Sequence, residues 1–148
     1  MKIGIIKKLS LVALLLVPQF ANSQTINIAI TNIRNAKGQV GVYFFTNAEE
    51  FKTEKSVYER FYDKTTLKND TISVTVSHLK AGTYGVVVYD DENRNGKMDY
   101  NFIGMPVEGF GFSNYRLKLL KRPTFKDFCF EVKVDEEKEI TVEMKYLK

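Results

Sequence analysis

Apolar residues fall at every second position in a series of short runs along this chain, the periodicity of strands that bury one face. Ile26, Ile28 and Ile30 alternate with Asn27, Ala29 and Thr31. Ile72, Val74 and Val76 alternate with Thr71, Ser73, Thr75 and Ser77, a strand with one clean polar face. Between Gln39 and Thr46, Val40, Val42 and Phe44 take one side while Tyr43 and Phe45 take the other, so both faces should be covered. Tyr84, Val86 and Val88 mark a further strand. Phe128–Val134 and Ile140–Tyr146 predict the last two, joined by the charged turn Asp135-Glu136-Glu137-Lys138. Short strands separated by turn signals predict an all-β, antiparallel sandwich.

One interruption has a helical signature. Asn47 stands three residues before Glu50, the spacing of a helix N-terminal cap, and Phe51, Val57, Tyr58 and Phe61 could line a stripe over residues 47–62. This predicts a short helical insertion across one end of the sandwich. Within Leu79–Val88, Gly82 precedes Tyr84 by two residues at a strand start, the layout of a tyrosine corner in which the phenol pins the preceding turn. His78, just before that turn, reads as a strand-end residue.

The ends change the picture. Lys2, Lys7 and Lys8 precede a short apolar run from Leu9 to Val17, and Ala21-Asn22-Ser23 has the small-x-small form of a signal-peptidase site. Residues 1–23 are therefore expected to be a signal peptide and residues 24–148 a single domain, periplasmic or secreted. The apolar run is shorter than the roughly 20 residues a membrane-spanning helix needs, so no transmembrane segment is expected after cleavage. Three lysines and no acid lie in 1–23, so the formal charge falls from +4 for the whole chain to +1 without them. That balance offers no field for nucleic acid. A single cysteine, Cys129, excludes an internal disulfide and reads as a small packed residue. The partner expected is a component of the envelope or the extracellular space.

The candidate chemistry lies between Asp90 and Asn114. Asp91, Asn93 and Asn95 place side-chain oxygens at every second residue, Gly96 allows a sharp turn, the Lys97 carbonyl follows, and Asp99 stands at position nine. Up to its sixth position this is the calcium-loop template, so calcium is the candidate cofactor. Position twelve should be a bidentate glutamate and is Phe102; Asp90 and Glu108 are the candidates for a further ligand. The same residues also read as an ion-free turn, because Asn-Gly favours hairpins and Asp and Asn stabilise turns themselves. One histidine and one cysteine are too few for zinc, copper or haem.

The segment Gly104–Asn114 follows, too irregular on its face for a plain strand, with glycines expected at positive backbone angles. Phe110, Phe112 and Tyr115 could contact a ligand or partner, alongside a basic edge of Arg116, Lys118, Lys121, Arg122 and Lys126. The alternative is an aromatic-anchored loop folded over the sandwich. No G-x-S-x-G elbow occurs, and no nucleophile or base is set by a motif. No catalytic residue is assigned. The leading expectation is a non-catalytic exported protein with a calcium-stabilised loop. The alternatives are a weak glycan- or envelope-binding module, and then a metal-dependent hydrolase.

Tyr84–Asn93, Asn95–Asp99 and Gly104–Asn114 together resemble the pattern of the bacterial family catalogued as domain of unknown function 2141, and Pro123-Thr124-Phe125 with Phe130 is similar to its following segment. The resemblance covers roughly Ile26 to Met144. It implies an exported single-domain β protein and no assigned activity. Leu79–Val88 also resembles prealbumin-like domains, so an immunoglobulin-like or prealbumin-like sandwich is the expected architecture.

Overall fold

The computed structural model describes residues 24–118 and 121–147; the expected signal peptide, residues 1–23, lies outside them. Among the described residues strands are the dominant element: β1 (Gln24–Thr31), β2 (Gln39–Phe45), β3 (Tyr58–Asp63), β4 (Ile72–Leu79), β5 (Gly82–Asp91), β6 (Gly109–Phe112), β7 (Phe130–Val132) and β8 (Glu137–Glu143). Two short helices, α1 (Ala48–Thr53) and α2 (Phe125–Phe128), and one 3-10 turn at Lys64–Thr66 interrupt them. The strands form a three-stranded sheet, β4-β1-β8, and a five-stranded sheet, β3-β2-β5-β6. In the latter, β7 pairs with the beginning of β5 and β6 with its end. The two sheets share one core, the layered arrangement of a β-sandwich. Ile26, Ile28, Ile30, Ile72, Val74, Val76, Ile140 and Val142 meet Val40, Val42, Phe44, Val86 and Val88 there.

Three expectations are corrected. The sandwich is not wholly antiparallel: β1 runs antiparallel to β4 and parallel to β8. A parallel pair needs a long crossover rather than a hairpin, and here nearly the whole domain intervenes between the two strands. The helix predicted over 47–62 stops at Thr53, where Glu54 turns left-handed at φ 56°. Tyr58 and Phe61 then lie on edge strand β3, paired with β2. The cap itself is as expected, with Asn47 Oδ1 accepting from Glu50 N at 2.9 Å. Third, the Phe128–Val134 strand is shorter, because α2 occupies 125–128 under a reciprocal Thr124–Asp127 cap.

The outer face of the five-stranded sheet is also covered. Phe45, Phe51, Val87, Phe112, Phe125 and Phe128 form a second apolar layer, with ring centroids as close as 4.9 Å for Phe51 and Phe128. Both faces of β2 and β5 are thus buried, as the doubled apolar pattern of β2 predicted. The tyrosine corner is present: Tyr84 OH donates to the Lys80 carbonyl at 2.9 Å. Cys129 is half-buried beside the second layer.

Candidate functional site

The loop after β5 begins where the strand pleat sends consecutive side chains to opposite sides. Asp90 is fully buried and ion-paired with the buried Lys64, and Tyr146 OH donates to its other oxygen at 2.5 Å. Burial pushes the Asp90 carboxyl up from the usual carboxylate range, while Lys64 and Tyr146 hold it back. Asp90, one of the two candidates for a further ligand, thus bonds into the interior rather than into the loop. Asp91, also buried, turns the other way. Its Oδ1 accepts from Asn95 N at 3.0 Å, and its Oδ2 accepts from Gly96 N at 3.0 Å and Gln39 Nε2 at 2.7 Å. Gly96 sits at φ +77°, the left-handed turn its position requires.

Asp99 is held by two amides. Asn93 Nδ2 donates to it at 2.5 Å, and Asn95 Nδ2 donates to both its oxygens at 2.9 Å. The amide oxygens meanwhile accept from the backbone, Asn93 Oδ1 from Asn95 N and Asn95 Oδ1 from Lys97 N, each at 3.0 Å. Glu108 clamps the loop at both ends: Oε1 accepts from Glu92 N at 2.9 Å and Oε2 from Asp99 N at 3.2 Å. Burial, with the nearby charges of Asp99 and Asp91, raises the Glu108 carboxyl above its ordinary value, against the pull of those two N–H groups.

A calcium ion fits this arrangement in part. Asn93, Asn95 and Asp99 touch one another and Glu108 lies against the loop, but the Asp91 oxygens already accept three N–H groups. Among the described residues, no three His, Cys, Asp or Glu side chains gather round a common point. Phe102, at the twelfth position, points fully into solvent. The basic side chains do not neutralise the loop's inner carboxylates. Arg94 pairs with Asp63 at 2.5 Å, and Arg34 pairs with Glu92 at 2.5 Å.

The Gly104–Asn114 segment is more regular than expected. Residues 109–112 are strand β6, paired with β5, and among its glycines only Gly104 has a positive φ, +76°. Gly109 and Gly111 face inward, where close approach excludes a side chain. A Cβ on Gly109 would lie 2.4 Å from the Tyr146 ring, and one on Gly111 would lie 2.7 Å from the Glu143 carbonyl. Phe110 and Phe112 face outward. Phe112 is buried in the second apolar layer against Tyr115, with centroids 6.4 Å apart, so these two mainly pack. Phe110 is half-buried and lines a cleft of about 200 Å³.

That cleft is the feature the sequence did not reveal. Its walls include Tyr89, Met98, Tyr100, Pro106, Phe110 and Leu117, and its rim carries Glu54, Lys121 and Arg122. Burial pushes the Tyr89 hydroxyl up to about 12, so it is a neutral donor. Arg122 lies 4.5 Å over the Phe51 ring and donates to the Phe51 carbonyl at 3.0 Å. Its pair with Glu54, at 3.3 Å, is largely exposed. Of the expected basic edge, Lys121 and Arg122 reach this site. Arg116 is committed to Glu143 at 2.7 Å.

A family model described as uncharacterized protein conserved in bacteria (DUF2141) matches residues 28–141. No curated protein and no solved structure matches the chain.

Proposed function

Because the chain belongs to the bacterial DUF2141 family, whose description assigns no activity, we propose from its own site an exported, non-catalytic binding protein, an immunoglobulin-like or prealbumin-like β-sandwich that holds one ring of an anionic envelope glycan. The observation that carries this reading is the cleft: aromatic and apolar walls with two cations at its rim. At about 200 Å³ it is smaller than the usual few hundred Å³ of a ligand pocket and suits a single ring. Phe110 and Tyr100 offer faces for that ring. Lys121 and Arg122 offer charge to a carboxylate or phosphate, and an exposed Arg122–Glu54 pair is cheap to re-aim.

Ring-sized probes test it. Glucuronate and benzoate, at the millimolar affinity such small ligands reach, should shift NMR resonances of Phe110, Tyr100 and Arg122, and methyl glucoside much less. R122Q should weaken glucuronate several-fold. Equal binding of charged and neutral probes, or shifts confined to other surfaces, would sink the reading.

A second reading, for the acidic loop, is that calcium orders it. The supporting observation is that Asp91, Asp99 and Glu108 all bond into this one loop, with the charges of Asp99 and Asp91 bearing on Glu108, and none of the three has an ion-pair partner among the described residues. Asp91, Asn93, Asn95 and Asp99 would ligate through side chains and Lys97 through its carbonyl, with Glu108 in place of the missing twelfth ligand. Each Asn oxygen keeps a second lone pair for the ion beside its backbone bond, but the Asp99 carboxylate must exchange amide bonds for it, which suits the weak extracellular class of calcium site. For a dissociation constant of about 10⁻⁴ M, a few millimolar calcium stabilises by roughly 2 kcal/mol, several degrees in Tm. D99N should abolish that shift; an equal shift with magnesium, or none with calcium, leaves the loop an ion-free turn.

A further inference from the structure

The large hydrophobic side chains left exposed are unevenly spread. Of the six among the described residues, Tyr100, Phe102, Ile103 and Val107 fall within one eight-residue loop, and only Val57 and Val134 lie elsewhere. Phe102 is 98% exposed and Ile103 64% exposed, side by side at the tip. Single exposed apolar residues need no explanation, but a cluster on one loop does.

The backbone beneath the tip is closed on itself. Gly104 N donates to the Asn101 carbonyl and Asn101 N to the Met105 carbonyl, both at 2.9 Å. The Asn101 side chain accepts from Ile103 N at 3.1 Å and Met105 N at 3.0 Å. Four N–H groups of residues 101–105 are thus bonded inside the turn. A loop that enters an apolar phase must satisfy its backbone internally, because nothing there replaces water. The turn presents Phe102 and Ile103 to solvent. Lys121 and Arg122 border the cleft that Tyr100 and Pro106 line, against the single acid Glu54 that pairs with Arg122, so one net positive charge lies beside the apolar loop.

We propose that the Asn101–Gly104 turn inserts Phe102 and Ile103 into the interfacial layer of an anionic lipid bilayer, with Lys121 and Arg122 beside the headgroups. Aromatic and aliphatic side chains at a tip, next to cations, have the chemistry of a reversible interfacial anchor. Insertion needs neither a ligand in the cleft nor calcium in the acidic loop, so its test is independent of both.

The chain contains no tryptophan, so F102W introduces a single reporter at the tip. The full chain carrying F102W is titrated with phosphatidylglycerol and with phosphatidylcholine vesicles, some containing brominated lipid. Insertion predicts a blue-shifted emission that brominated chains quench, at lower lipid concentration with phosphatidylglycerol. Because the readout is local to position 102, vesicle binding by any other part of the chain does not mimic it. Separately, F102S/I103S should lower the partition coefficient by about tenfold or more, with an unchanged Tm showing that the fold is intact. Emission that remains water-like and unquenched at millimolar lipid would overturn the proposal and direct the tip to a protein partner. Equal insertion into neutral vesicles would overturn the role of the two cations.

Discussion

Asp90 and Asp91 are adjacent in the chain, yet one is locked to a lysine in the interior and the other organises a surface turn. Lys64 and Asp90 are both fully buried at their side chains. Removing one member of such a pair leaves an uncompensated charge, which costs about 3–5 kcal/mol, whereas removing both costs less. K64M should therefore lower the unfolding free energy by about that amount, and K64M/D90N should recover part of the loss in urea denaturation. A double variant no more stable than K64M would mean that Lys64 acts by packing. Glu92 titrates in the opposite sense to Glu108. Burial works to raise the Glu92 carboxyl, but the hydrogen bond and charge of Arg34 outweigh it and hold it below its ordinary value. A depressed folded pKa means that the unfolded chain binds more protons. The contribution is then present above the unfolded value of about 4.5 and is lost as pH falls through the lower folded value. E92Q should flatten the acid side of the stability curve, read as urea midpoints from pH 6 down to pH 3.

At the scale of the element, the run Gly109-Phe110-Gly111-Phe112 is a strand whose alternation is glycine inside and phenylalanine outside. The inward glycines let the chain end from β8 to Tyr146 lie against β6, where Phe110 N donates to the Lys145 carbonyl at 3.0 Å and Lys145 N to the Phe110 carbonyl at 2.7 Å. G111A would push a methyl group against the Glu143 backbone, which cannot turn aside as a flexible side chain would. It should cost about 1–3 kcal/mol, the usual range for overpacking, and uncouple the chain end in hydrogen exchange. Y84F, which removes only the corner hydrogen bond, should cost about 1 kcal/mol in the same assay. The corner, the Asn47 cap and the alternation of β1, β2 and β4 were legible because each rests on residues close in sequence. Glycines that serve a distant partner were not, since nothing near Gly109 or Gly111 announces Tyr146 or Glu143. Tyr58 and Phe61 fitted a helical stripe for a similar reason. Only pairing with β2 makes that segment a strand.

For the whole molecule, the candidate site divides the same way. The acidic loop was legible because turn chemistry is local, whereas the cleft gathers residues from Phe51 to Leu147 that no spacing could bring together. Met98 and Tyr100 belong to both features: they lie in or just beyond the Asp91–Asp99 loop, and they wall the cleft. If calcium orders that loop, it also fixes one wall of the cleft, and the two binding events become linked. Linkage is reciprocal, so whatever factor calcium applies to the cleft ligand, the ligand must apply to calcium. Glucuronate titrated by NMR in millimolar calcium should therefore bind more tightly than in chelator, by about 5-fold or more if the coupling reaches the usual 1 kcal/mol. D99N should bind it equally in both conditions. A calcium-dependent Tm with no change in glucuronate affinity would instead make the loop a separate stiffener, with the cleft wall held by the Glu108 contacts and the Tyr100–Pro106 bridge.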